Sequence, residues 1–181
     1  MNNTTFFNIT PIDGRYKNLT VSLKALFTEY AFIKQRVIIE IKYFLFLLKL
    51  NNNAFPDNNK LRFFMENLSN NISFQHIDSI KQIEDKIHHD VKSIEYFLTK
   101  QLQDNHFEKY INLLHFGLTS QDVNTMAYSI SLHKFKSDIF IPLFDTLLSN
   151  IQNKINLWNN TVIVGRTHGQ PATWTILGKE F

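Results

Sequence analysis

From Ser22 onward the apolar residues fall at helical steps. Leu23, Leu26, Phe27, Tyr30, Ile33, Val37, Ile41, Phe44, Leu45 and Leu48 recur every three or four positions, which predicts a helix with one broad apolar face. Asn51-Asn52-Asn53 ends the pattern, and Pro56-Asp57-Asn58-Asn59 predicts a loop. A short helix is expected over about residues 60–68, before polar Ser69-Asn70-Asn71. The next period is cleaner. Ile77, Ile80, Ile83, Ile87, Val91, Ile94, Leu98 and Leu102 step by 3, 3, 4, 4, 3, 4 and 4 residues, with His88-His89 inside the same helical run.

Between Asp104 and Thr119 the pattern lapses into a shorter segment and a turn at Gly117. Thr119-Ser120-Gln121-Asp122 then has the form of a helix start, a hydroxyl to cap free N–H groups and an acid facing the positive end of the dipole. Val123, Met126, Ile130, Leu143, Leu147, Ile151 and Ile155 extend the period to about Trp158, with a kink or break expected near Ile141 because Pro142 lies inside. Val162-Ile163-Val164 is a β-branched run, and Gly165 to Gln170 reads as a loop. Pro171 suits the first turn of a new helix, whose start would offer an anion site. The chain ends at Lys179-Glu180-Phe181 with no capping Gly and no polar tail, which reads as a cut. Residues 1–20 are irregular, with Pro11 and Gly14 at turn spacing.

Composition narrows the function classes. A chain of 181 residues makes one domain or a little more. Its hydrophobic share of 44% and seventeen Phe exclude a disordered polymer, while only five Gly and four Pro suit helices better than a turn-rich β-fold. The absence of Cys removes disulfide scaffolds, Fe–S clusters and a thiol nucleophile. A net charge of +3, with no basic stripe, gives no signal for nucleic acid. Val37 to Leu50 is too short, and too interrupted by Glu40, Lys42 and Lys49, to span a membrane. Met1 to Phe7 has no charged start followed by an apolar core, so a cytoplasmic location is expected, and the Asn-x-Ser/Thr triplets carry no meaning.

Polar groups suited to chemistry gather in four places. Arg15-Tyr16 sets a fork of donors beside a phenol in a turn, suited to phosphate or carboxylate, although such an Arg is usually solvated surface. His88-His89-Asp90 lacks the i, i+4 spacing of a metal-binding helix, so no metal is expected there, and surface or capping histidines are the plainer reading. His115 precedes Thr119 and Ser120, whose hydroxyls at a helix start can hold a carboxylate or simply cap the helix. In Arg166-Thr167-His168-Gly169-Gln170-Pro171, a Gly-flanked imidazole is accessible for giving or taking a proton near neutrality.

Together these segments are more specific. Thr10-Pro11-Ile12-Asp13-Gly14-Arg15-Tyr16, the run from His89 to Leu98, the run from His115 to Asn124, and Gly165 to Thr173 occur in that order. The set resembles the adenylosuccinate lyases of the fumarase/aspartase superfamily, over nearly the whole chain. The resemblance implies an all-α fold: an N-terminal helical domain over 1–118 and, over 119–181, the start of the central long-helix bundle. It implies elimination of fumarate from adenylosuccinate, giving AMP, and from succinyl-aminoimidazole-carboxamide ribotide, with no metal and no cofactor. Position by position, it implies that His168 is the general acid and that Arg15 and Tyr16 bind the nucleotide phosphate. His88, His89 and Asp90 would contact substrate, Thr119 and Ser120 the succinyl carboxylate. His115, Thr167 and Gln170 would support the site.

Two departures stand out. Position 88 holds His where relatives often have Asn or Ser, and no Ser-Ser-x-Met-Pro-x-Lys-x-Asn stretch, the family's base-bearing loop, occurs in these residues. Family members form homotetramers whose sites draw on three chains, so the 181 residues alone are expected to be inactive. The rival expectations are a non-catalytic helical remnant serving association or nucleotide binding, and a superfamily member acting on another succinyl acid.

Overall fold

The computed structural model describes residues 10–51 and 58–181. The segment before Thr10, and Pro56 and Asp57 of the expected loop, lie outside the described residues. The described chain is mostly helical with one two-stranded sheet, in keeping with the all-α expectation. It divides into two compact units, Met1–His133 and Lys134–Phe181.

In the first unit the period beginning at Ser22 is broken once. A 3-10 turn Val21–Leu23 and a single helical turn α1 (Lys24–Phe27) precede α2 (Glu29–Leu50). Thr28 between them is extended, and its hydroxyl works in both directions. Oγ1 donates to the Lys24 carbonyl at 2.7 Å and accepts from the Ala31 N–H at 3.2 Å, closing one helix while capping the next. Apolar spacing runs straight through Thr28, so period alone could not see the break. At the other end Asn51 stops α2, its side-chain amide and its backbone N–H both donating to the Leu47 carbonyl.

Then come α3 (Asn59–Asn70), α4 (Phe74–Ile87), α5 (Asp90–Asp104), the 3-10 segment Glu108–Leu113 and α6 (Ser120–Phe135). The run from Ile77 to Leu102 is therefore two helices. Ser73 and His76 form a reciprocal capping box at the start of α4, and His88 ends it in the left-handed conformation, φ 53°. His89 is extended, and its Nδ1 accepts the Lys92 N–H at 3.1 Å to cap α5. The two histidines stand at a corner, which corrects their placement within one helix.

α2 lies between two apolar clusters. Ile33, Val37, Ile41, Phe44 and Leu48 pack with residues of α3, α4 and α5, including Leu61, Met65, Ile80, Ile94 and Leu98. Ile39 packs instead with Val91 of α5 and Val123 and Ala127 of α6, with Phe32 and Leu118 beside them. The helix keeps Glu29, Lys42 and Lys49 exposed, but Arg36 and Glu40 fall on its packed sides and are buried.

The second unit holds a π-helical turn, Lys136–Phe140, followed by α7 (Ile141–Trp158) and a hairpin of β1 (Val162–Thr167) and β2 (Gln170–Ile176). The irregularity expected at Pro142 is this wide turn directly before it, which suits a residue lacking an N–H. The helix expected to start at Pro171 is absent; that residue lies in β2, paired with Arg166. His168 and Gly169 have φ 51° and 76°, the doubly left-handed turn whose twist matches paired strands. The helix-start anion site expected there is withdrawn with the helix.

A 3-10 turn, Leu177–Glu180, seats the hairpin's end against α7. A Cβ on Gly178 would stand 2.6 Å from the Ile155 carbonyl oxygen and 3.0 Å from the Asn159 nitrogen. Both are backbone atoms and cannot turn aside. Gly178→Ala is therefore expected to destabilise by about 1–3 kcal/mol, read as a lower denaturation midpoint; an unchanged midpoint would contradict this packing.

Candidate functional site

One face of α2 gathers two of the four sequence-marked segments. Arg36, Glu40 and Tyr43 follow at steps of four and three, so they share a side of the helix. Arg36 Nη2 meets Asp90 Oδ2 at 2.6 Å, and its guanidinium lies 4.0 Å from the centre of the Phe32 ring. Glu40 Oε1 and His115 Nδ1 are 2.6 Å apart. Tyr43 donates its hydroxyl to the Phe116 carbonyl at 2.9 Å, fixing the loop that begins at His115.

The electrostatics of the two carboxylates differ. Burial works to raise the pKa of Asp90, but the Val91 N–H, the Arg36 charge and hydrogen bond, and His89 together hold it below its ordinary value. For Glu40 burial dominates and raises the pKa, against the hydrogen bond and charge of His115, with Glu95 adding repulsion. At Asp90 the backbone is fixed too, since the Ser93 hydroxyl donates to its carbonyl at 2.6 Å.

At the start of α6, Asp122 accepts both the N–H and the hydroxyl of Thr119, at 2.8 and 2.9 Å. The Thr119 hydroxyl thus donates to a carboxylate and does not cap N–H groups, which corrects the capping assigned to it. Those bonds lower the pKa of Asp122, with a smaller contribution from the nearby His115. Thr10 and Asp13 repeat this arrangement in the N-terminal turn, at 3.0 and 2.8 Å. Arg15 and Tyr16 stand exposed on that turn, and no side-chain hydrogen bond or ion pair joins them to the α2 cluster among the described residues. Ser120 opens α6.

In the second unit His168 and Gly169 form the exposed tip of the hairpin, and Arg166 Nη1 approaches the Gly169 carbonyl at 3.5 Å. Thr167 and Gln170 are the paired residues flanking this tip. The hairpin surface lined by Arg166, Thr167, Thr173 and Glu180 forms an open cleft. Among the described residues no group of three His, Asp or Glu side chains could hold a metal ion, and no helix is long and apolar enough to cross a membrane.

The backbone singles out the same histidines. Among the described residues the non-glycine positions with positive φ are His88, His106, His115 and His168. Such conformations cost energy and persist where the surroundings impose them, often at functional sites. Three of the four lie in segments already marked by sequence.

A family model described as Lyase matches residues 14–181. The chain belongs to that lyase family. It is similar to the adenylosuccinate lyase of Buchnera aphidicola subsp. Baizongia pistaciae, 39% identical over 177 residues, which covers 96% of this chain and 38% of that protein. The adenylosuccinate lyase of Dictyostelium discoideum is 38% identical over 192 residues, covering 99% and 40%. That of Legionella pneumophila (strain Corby) is 34% identical, covering 95% and 38%. This lyase-family chain therefore spans about two fifths of the length of these curated relatives.

Two buried charges of this cluster, Arg36 and Glu40, carry no signal in the sequence reading beyond Glu40 as a charge against a membrane span. The available signal was their position: opposite charges four apart inside an apolar period are exposed only if the helix has a free face. The Arg36–Asp90 pair carries an acid-sensitivity prediction. A lowered folded pKa means that its stabilisation is complete above the ordinary carboxylate value of 3.8 and is lost as pH falls below it, through the folded value. Stability measured against pH should fall less steeply over that acid window in Asp90→Asn than in the native chain; an identical slope would contradict the pairing.

Proposed function

We propose that this chain carries the acid-bearing and substrate-binding segments of an adenylosuccinate lyase. The reaction is an anti elimination: a base removes a proton from the succinyl carbon beside a carboxylate, the carbon–nitrogen bond breaks, and an acid protonates the departing nitrogen. The products are AMP and fumarate, or the aminoimidazole-carboxamide ribotide and fumarate, both within purine nucleotide synthesis. Negative charge builds on the carboxylate in the transition state, so hydrogen-bond donors aimed there lower the barrier.

His168 is the acid in this reading, at the accessible tip of a turn. Arg15 and Tyr16 bind the nucleotide phosphate. His88, His89 and Asp90 contact the substrate, Thr119 and Ser120 take the succinyl carboxylate, and Thr167 and Gln170 brace the loop around His168. The base belongs to a segment outside these residues. Several chains contribute to each site in a homotetramer, a reading favoured by α7, which buries none of its residues and exposes Phe140, Leu143, Phe144 and Leu147 on and beside it.

One observation supports the assignment most. The segments at His89-Asp90 and His115 are drawn to one side of α2 by two buried charges, Arg36 and Glu40. The test is fumarate release from adenylosuccinate by the protein encoded by the whole coding region, beside purified residues 1–181. Release is expected from the former and none from the latter. No release from the former overturns the function; turnover by residues 1–181, free of host enzyme, overturns the placement of the base.

A further inference from the structure

Arg36 is buried at a cost that its one ion pair does not explain. Its side chain is 8% exposed, and its Nε is buried with no hydrogen-bond partner among the described residues. A buried donor left unpaired destabilises, and a buried ion pair often fails to repay the desolvation of its charges. An apolar side chain of similar volume would pack there at less cost. The guanidinium is also held in one orientation. It lies 4.0 Å from the centre of the Phe32 ring, which packs in turn on Tyr128 of α6 with ring centres 4.3 Å apart.

Its partner is placed quite differently. The Asp90 side chain is 43% exposed, at the corner made by left-handed His88 and extended His89. Two of its contacts belong to the first turn of its own helix: Oδ1 accepts the Val91 N–H at 2.8 Å, and the carbonyl accepts the Ser93 hydroxyl. Both move with α5. Among the described residues, the bond from Arg36 Nη2 to Oδ2 is the one side-chain bond that ties Asp90 to another element. The charged and titratable groups at the carboxylate are Arg36 from α2 and His89, whose Nδ1 stands 3.8 Å from Oδ1.

We propose that Arg36 is a positioning residue: from inside the core it sets the direction of the Asp90 carboxylate, and with it the His88–His89 corner, without touching substrate itself. This rests on the lyase reading above, in which that corner meets the substrate. The fork of the guanidinium and the ring beneath it leave the bound carboxylate little freedom to turn, which a flexible ammonium would allow.

Arg36→Met tests it, because Met keeps the packing on Phe32 and leaves a half-exposed carboxylate that water can reach. Should that variant fail to fold, Arg36→Gln replaces it with the same expectations. In the protein that turns over adenylosuccinate, kcat/KM should fall by about 10–100-fold, the scale for misplacing a group by an ångström. A purely stabilising role predicts a lower melting temperature with kcat/KM of the folded protein unchanged, and that result overturns the proposal. Adding Arg36→Met to Asp90→Asn should cost little more than Asp90→Asn alone; an additive loss means that Arg36 does not act through Asp90 and also overturns it. A second readout needs no turnover. In carbon-13-labelled residues 1–181 the Asp90 carboxyl should titrate at higher pH in Arg36→Met than in the native chain, since the charge that favours the carboxylate is gone. An unmoved titration overturns the proposal even if activity falls. A titration that moves, without fumarate release by the native whole protein, overturns the lyase reading and the positioning role with it, while the hold of Arg36 on Asp90 stands.

Discussion

His168→Ala is expected to lower fumarate release by about 10²–10⁴-fold, the range for losing a positioned general acid. The loss should fall on kcat, with KM little changed, because the proton is needed only as the carbon–nitrogen bond breaks. The position adds a complication. His168 has φ 51° beside Gly169 at 76°, so a substitution can disturb the hairpin turn as well as the chemistry. His168→Asn separates the two effects, since Asn tolerates the left-handed region and cannot act as the acid. Equal loss of kcat in both variants, with native-like melting of the Asn variant, supports the acid role. Near-normal fumarate release by either would overturn it.

The largest expected effect on stability is at Phe44. Its side chain is fully buried on α2, in the cluster with Ile41, Leu48, Leu61, Met65 and Leu98. Phe44→Ala removes a ring from a site bounded by several helices, which can collapse only partly around the void, so about 3–5 kcal/mol should be lost. For a unit of this size that is on the order of a 10 °C fall in melting temperature. Phe63 on α3 is the control: it is 75% exposed, and Phe63→Ala should stay within about 0.5 kcal/mol of native. Matching melting curves for the two variants would contradict the core described here. The first substitution also has a functional reach, because Phe44 sits one turn from Glu40 and anchors the helix that holds Arg36 and Glu40.

Local signals reported truthfully where each could be read from side chains close in sequence. The α6 start at Thr119-Ser120-Gln121-Asp122, the short helix near 60–68 and the irregularity before Pro142 follow from local sequence. The breaks at Thr28 and His88 were hidden because apolar spacing continued through them, while a hydroxyl and a left-handed imidazole ended the helices. Pro171 was misread for a related reason. A proline suits a helix start, yet the paired left-handed residues before it commit the chain to a hairpin, and β-branched Thr173, Thr175 and Ile176 continue the strand.

By itself the sequence determined a mostly helical chain, four chemistry-bearing segments and a likeness to adenylosuccinate lyases, because period, caps and motifs are written in neighbouring residues. Only the tertiary structure decided which charges are buried and what they meet. Arg36 finds Asp90 across 54 positions and Glu40 finds His115 across 75, separations over which no local preference acts. Packing α2 between two apolar clusters buries Arg36 and Glu40 while Lys42 and Lys49 stay exposed, and a buried charge must find a partner, so the core itself fixes Asp90 and His115 in place.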